Sequence, residues 1–263
     1  MPAPPVQRTA EMLGSPHMDA RGTPEQNRRY YDAFAARYED QRGENHPGGY
    51  HDLLDELEAD LVERYGRDRE VLEVGCGTGL VLERIRRFAR AAKGVDLSPG
   101  MLAKARERGL DVVEGSATAL PFADHSFDVT CSFKVLAHVP EVRLALFEMA
   151  RVTRPGGTIL AEFYNPLSLR GLVKWLGPAG QVATGLRENA VFTRFDAPWS
   201  IRGLVPMGCE LVGARGVRIL TPVASLLRHP RVRRVFRRLE LALCDSPLRV
   251  FGGFYVAIVT RHV

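Results

Sequence analysis

The chain has 263 residues, 45% hydrophobic and 25% charged, the balance of an ordinary globular protein with one sizeable core. Its formal charge is +5. No stretch reaches the roughly 18 consecutive apolar residues that a membrane-spanning helix needs, which argues against an integral membrane protein.

Residues 1–23 are rich in proline, lack periodicity and carry no continuous apolar run or cleavage pattern. They read as a disordered leader rather than a secretion signal. Residues 24–40 have helical periodicity, with Tyr30, Phe34 and Tyr38 on one face, and a Gly/Pro-rich break follows. A second helix is predicted over 51–65, where Leu53, Leu54, Leu57, Leu61 and Val62 form an apolar stripe.

The pattern then changes. Residues 70–74 make a short apolar strand that ends in a glycine-rich turn, and 80–89 return to helix. A second strand (91–97) ends near Asp96. Ser98 caps a helix through 108, with Pro99 at its first position. Strands follow at 111–114 and 127–133, then a helix at 140–152. The sequence PGG turns the chain into a fifth strand at 158–163. Alternating strands and helices with short connections predict βαβ units and a parallel sheet. The rhythm is lost over 165–206, which reads as an inserted cap. Two late strands, 210–219 and 253–260, flank an arginine-rich helix at 228–238. There Val232, Val235, Phe236, Leu239 and Leu243 recur at helical spacing, so the arginines read as a solvated face in preference to a nucleic-acid patch.

The chemistry lies in Glu73-Val-Gly75-Cys76-Gly77-Thr-Gly79. Glycines there allow positive φ and close approach of backbone to a ligand. The helix that follows offers unpaired amides. Asp96, at the end of the second strand, suits a bidentate hydrogen bond to both hydroxyls of a ribose. The spacing is G-x-G-x-G. A dinucleotide fingerprint would need glycine where Leu80 stands. The four cysteines, Cys76, Cys131, Cys209 and Cys244, form no C-x-x-C pair or zinc-spaced cluster. Free thiols in a reducing cytoplasm, and no metal site, are expected.

The stretch ExGCGTG resembles motif I of the class I S-adenosylmethionine-dependent methyltransferases, of the small-molecule type that includes ubiquinone and menaquinone methyltransferases. GVDLSPGMLAKAR, GSATALPFADHSFD, LAHVP and RVTRPGGTIL resemble the later motifs in order, and YYDAFAARYE resembles the N-terminal lid helix. The resemblance covers about residues 25–163. It implies one domain over 24–263: a Rossmann-like α/β fold with a seven-stranded, mostly parallel sheet and helices on both faces. An N-terminal helical lid (24–66) and a cap after strand 5 (165–206) complete it.

The cofactor implied is S-adenosylmethionine. Tyr30, Glu73, Gly75, Cys76, Gly77, Gly79, Asp96, Leu97, Met101, Ser116, Ala117 and Phe133 are the positions expected to hold it. Leu97 and Met101 would sandwich the adenine, and Phe133 would offer its carbonyl to the ammonium. Many relatives have aspartate where this chain has Ser116; the hydroxyl and the Ala117 amide remain able to meet the adenine. Tyr30 and Tyr31 are alternatives for closing over the cofactor, Tyr30 being favoured for its carboxylate. Both also suit packing of the lid against the sheet.

His138, Glu162 and Tyr31 are the candidate catalytic groups, and His138 equally suits a structural role. Tyr164, Trp175, Phe192 and Trp199, with Phe195 beside them, are candidates for lining an apolar acceptor pocket. The activity implied is methyl transfer to an oxygen, nitrogen or carbon of a small hydrophobic acceptor, with bacterial natural-product biosynthesis a favoured setting. A methyltransferase of RNA or protein docking through the arginine helix, and a non-methylating cofactor-binding protein, are the alternatives. A cytoplasmic monomer or homodimer without nucleic-acid or membrane partner is expected.

Overall fold

The computed structural model describes residues 23–39, 49–168, 192–221 and 229–263. The expected leader and most of the expected cap, Trp175 included, lie outside the described residues. Helix α1 (Pro24–Ala35) starts with a capping box: the Thr23 hydroxyl accepts from the Gln26 amide, and the Gln26 side chain accepts from the Thr23 amide. It stops at Ala35, short of the predicted end. Helix α2 (Tyr50–Gly66) buries the predicted leucine stripe.

Then come β1 (Glu70–Val74), α3 (Leu80–Ile85), β2 (Ala91–Asp96), α4 (Pro99–Glu107), β3 (Asp111–Glu114) and β4 (Phe127–Ser132). The second half follows as α5 (Val142–Val152), β5 (Thr153–Tyr164), α6 (Pro198–Ile201), β6 (Cys209–Val217), α7 (Pro230–Leu243) and β7 (Phe254–Arg261). The sheet order is β3-β2-β1-β4-β5-β7-β6. Pairing is parallel from β3 through β5, and β7 runs antiparallel to both its neighbours. The strand order reverses between β1 and β4, the place where open α/β sheets form a crevice beyond the carboxyl ends of their strands.

Alternation along each strand divides the core. Ile159, Ala161 and Phe163 face α5, where Leu146 and Met149 meet them. Leu160 and Val129 face α2, with Leu57 and Leu61. Arg215 is fully buried and holds α2 to the chain after α7. Its guanidinium donates to Asp60 at 2.6 Å, to the Leu57 carbonyl at 3.0 Å and to Asp245 at 2.8 and 2.9 Å.

Three further elements differ from expectation. α3 ends at Ile85 because tight turns follow, Arg87 donating to Arg84 and Phe88 to Ile85. The PGG sequence is no turn: β5 already starts at Thr153 and absorbs the glycines as an irregularity against β4. In α7, Phe236 packs inward with Leu241, but Val235 and Leu239 are 55% and 42% exposed. The inward stripe is Val232, Phe236, Glu240 and Leu243, so two of the five apolar positions expected to face the core face outward.

Candidate active site

Strand β1 feeds the turn from Gly75 to Gly79. All three glycines have positive φ, at 76°, 54° and 86°. A Cβ on Gly75 would sit 2.2 Å from Val135, so only glycine lets the turn pack beneath the loop after β4. At Gly77 a Cβ would meet nothing within 4 Å: this face of the turn looks onto open space, as a ligand-facing backbone must. Asp96 Oδ2 accepts the Gly77 amide at 2.8 Å and Oδ1 accepts the Ser98 amide at 2.9 Å. Each oxygen keeps a second lone pair. Burial pushes the Asp96 carboxyl up, against the pull of those amides.

Helix α1 spans this crevice. Asp32 accepts the Ser98 hydroxyl at 2.5 Å and the Gly100 amide at 3.0 Å, at the start of α4. The Asn27 side chain donates to the His138 carbonyl at 3.0 Å, at the loop after β4. The lid therefore touches both sides of the switch point. Neither Asp32 nor Asn27 was singled out from the sequence; each acts through a partner more than 60 residues away.

Below the turn lies a buried charged cluster. Lys134 adopts a left-handed conformation (φ 60°) just after β4. Its ammonium reaches Asp55 at 2.7 Å and Glu58 at 2.9 Å, and its amide donates to Glu162 at 2.9 Å. Glu73 and Glu162 are 3% and 1% exposed, and each has one carboxyl oxygen without a hydrogen-bond partner. Burial, then the Glu58 charge, pushes both carboxyls well up. Glu162, expected on the rim as a base, is instead sealed beneath it, where it fixes the Lys134 backbone. The structure assigns it support rather than proton abstraction. Lys134 was missed because nothing in its local sequence signals the turn.

The rim carries the polar groups. His138 sits on a 3-10 turn (Leu136–His138); its Nδ1 donates to the Phe192 carbonyl at 2.9 Å. That leaves Nε2 as an acceptor, 3.4 Å from the Tyr164 hydroxyl. Burial lowers the imidazole's pKa, against the opposing Phe192 bond. Tyr31 is pushed up by burial and then by Tyr164, with Tyr38, Tyr30 and Asp96 also felt. Tyr30 is moved by burial alone and packs edge-on against Tyr31.

The Phe195 ring lies 6.0 Å from that of Tyr164, while Trp199 is 72% exposed and makes no pocket wall. Leu97 is half-buried beside Asp96, as an adenine contact needs, whereas Met101 is 2% exposed. The Cys76 side chain points into the core with Leu82 and Leu102, leaving only its backbone to the site. The Ser116 hydroxyl is engaged with Thr118 at 2.8 Å, and Ala117 is partly buried. The Phe133 side chain is buried, so only its backbone can serve the site.

Residues 72–161 match the sequence profile of a family described as methyltransferase domain. The demethylmenaquinone methyltransferase of Renibacterium salmoninarum is 47% identical over 102 residues, 37% of this chain and 43% of that protein. The corresponding protein of Mycobacterium marinum is 44% identical over 107 residues, 40% of this chain and 46% of that protein. The chain spans less than half the length of these relatives. The fold is shared with an S-adenosylmethionine-dependent methyltransferase of Thermotoga maritima (TM-score 0.63, 21% identity, 90% of this chain and 99% of that one). It is also shared with the [4+2]-cyclase SpnF (TM-score 0.61, 22% identity, 92% and 97%), so fold alone does not choose the reaction. Residues 72–161 of this chain are thus similar to a methyltransferase domain, and the chain as a whole shares its fold with such enzymes.

Proposed function

We propose that the protein transfers the methyl group of S-adenosylmethionine to a small, largely apolar acceptor related to the reduced, quinol form of demethylmenaquinone, one of whose hydroxyls gives up its proton as the methyl leaves the sulfur. The observation that carries this reading is a juxtaposition. The open backbone of Gly77 and the carboxylate of Asp96 lie under α1, on the same rim as the His138–Tyr164 pair.

The residues present fit the cofactor. Gly77 provides the uncovered cradle, and the orphaned Glu73 oxygen is an acceptor for an ammonium. Asp96 would hold the ribose hydroxyls with its remaining lone pairs, Leu97 would cover the adenine, and the Ala117 amide would reach its ring nitrogens. When bound, the cofactor supplies a methyl group already made electrophilic by its sulfonium. The protein therefore needs to align the acceptor and exclude water.

α1 would close the crevice, with Tyr31 set over its inner face. His138, held neutral by burial, takes the acceptor's proton on Nε2, while Tyr164 orients it. Lys134 and Glu162 hold the loop that carries His138. Phe195, its ring 6.0 Å from that of Tyr164, would offer an aromatic face to the acceptor. The setting the protein suits is bacterial natural-product biosynthesis, because the chain is cationic almost wholly through arginine, with lysine only at 93, 104, 134 and 174.

The test is transfer of label from methyl-labelled S-adenosylmethionine to reduced demethylmenaquinone analogues, with simple phenols and amines as comparators. Labelled quinol supports the reading. Labelled amine with unlabelled quinol, or no label in any acceptor, overturns it.

A further inference from the structure

The outer face of α7 fits none of the roles above. Val235 and Leu239 stand 55% and 42% exposed among Arg231, Arg234 and Arg238, all three exposed and without an acidic partner among the described residues. These five positions recur at three- and four-residue spacing, so one helical face presents aliphatic side chains flanked by guanidinium groups. The opposite face is committed to the protein. Glu240 accepts the amides of Ile219, Leu220 and Thr221, at 2.9, 2.9 and 3.0 Å, just past the end of β6.

The placement of this helix is informative. It runs parallel to α2, since Arg237 pairs with Glu56 at 2.8 Å while Asp245, beyond its end, pairs with Arg64 at 2.7 Å. From Glu240 its N-terminal half therefore extends outward past the rim of the sheet on which Tyr164 stands. After α7 the chain turns through a 3-10 segment (Pro247–Phe251) that packs against α7 and exposes Leu248 and Phe251 by 43% and 48%. Asn165, next to Tyr164, binds the carbonyls of Val250 and Gly252 at 2.7 and 2.8 Å, so this apolar turn borders the candidate site.

We propose that the outer face of α7, together with the Leu248–Phe251 turn, docks the protein on an anionic lipid bilayer beside the site mouth. Arginines would meet lipid phosphates while Val235, Leu239, Leu248 and Phe251 enter the headgroup boundary. Nucleic-acid phosphates would use the same arginines but would give exposed aliphatic and aromatic side chains no apolar medium to enter. Among the described residues no helix is long and apolar enough to cross a membrane, so the contact is peripheral. The inference adds to the proposed methyl transfer a place where an apolar acceptor would be met, and it stands or falls independently of that reaction.

The experiment is sedimentation of the full chain with vesicles of phosphatidylcholine alone or mixed with phosphatidylglycerol. Binding is expected only to the anionic vesicles, falling as salt rises. The triple variant Arg231→Glu, Arg234→Glu, Arg238→Glu should lower partitioning about 100-fold. Val235→Ser with Leu239→Ser should lower it roughly tenfold. Unchanged melting temperatures confirm that these surface variants fold. Equal binding to both vesicle types, no binding to either, or insensitivity to both variants overturns the proposal. So does tighter binding to a duplex RNA that loses affinity in the arginine variant but not in the serine variant.

Discussion

Asp32 on α1 accepts hydrogen bonds from the Ser98 hydroxyl and the Gly100 amide, and so latches the lid helix to the loop that follows Asp96. The latch crosses 66 residues of sequence. It closes one wall of the crevice on a carboxylate that can be removed without opening the core. Asp32→Ala is expected to leave the melting temperature within about 2 °C, since the site is half-exposed. Cofactor affinity should weaken about tenfold, the worth of one charge-assisted hydrogen bond. Hydrogen exchange over 24–35 should rise. Unchanged exchange there would remove the latch.

His138 is held neutral by burial, with Nδ1 donated to Phe192. A base works only when deprotonated. Its pKa lies below the usual value near 6.5, so the rate should stay flat down to about that pH and fall only below it. His138→Ala is expected to lower kcat by about 10²–10⁴-fold, leave cofactor affinity intact and abolish that acid limb. Tyr164→Phe should raise KM more than it lowers kcat. A pH profile that keeps its limb in His138→Ala would assign the limb elsewhere.

Glu162 sits sealed beside Glu58 with its pKa pushed well up. The folded state then holds a proton that the unfolded chain releases above about pH 4.3. The group therefore subtracts stability as pH rises from there through its folded pKa. Glu162→Gln keeps an oxygen for the Lys134 amide and never ionises. Its stability relative to the parent should grow between pH 5 and 8 to an advantage on the order of 1–3 kcal/mol in urea unfolding. A difference independent of pH would contradict the buried titration.

Arg215 presents the opposite case. Burial raises Asp245, but Arg215 and Arg64 outweigh it and hold its pKa at about 2. That depressed carboxyl contributes stability fully above its unfolded pKa near 3.8, and the contribution is lost as pH falls towards 2. Arg215→Met should cost about 3–5 kcal/mol at neutral pH, because it strands Asp60 and Asp245 around a buried site. It should also flatten the acid limb of stability between pH 4 and 2. Acid denaturation curves of both proteins measure the two effects together.

The sequence made the local parts of this site legible. The glycine turn, the acid closing β2 and the histidine after β4 each sit within a few residues of a strand end, where alternation and turn chemistry mark them. What stayed hidden is carried by distant partners. Lys134 meets Asp55 and Glu58 across more than 70 residues, and His138 meets Phe192 across 54. The depth of Glu162 follows from α2 covering that face of β5, which no local pattern states. The start of β5 was masked because Pro155, Gly156 and Gly157 have turn chemistry, yet β4 pairs with the strand around them. Trp199 read as a pocket wall because tryptophans usually pack; here α6 turns it to solvent.

The central claim is that the Gly75–Gly79 turn and Asp96 grip an adenosyl sulfonium. Calorimetric titration with S-adenosylhomocysteine, on the parent chain and on Asp96→Ala, tests it most directly. One site per chain is expected, with affinity lost about 100-fold or more in the variant as two ribose hydroxyls lose their acceptor. No binding heat in the parent, or equal affinity in both proteins, would contradict it.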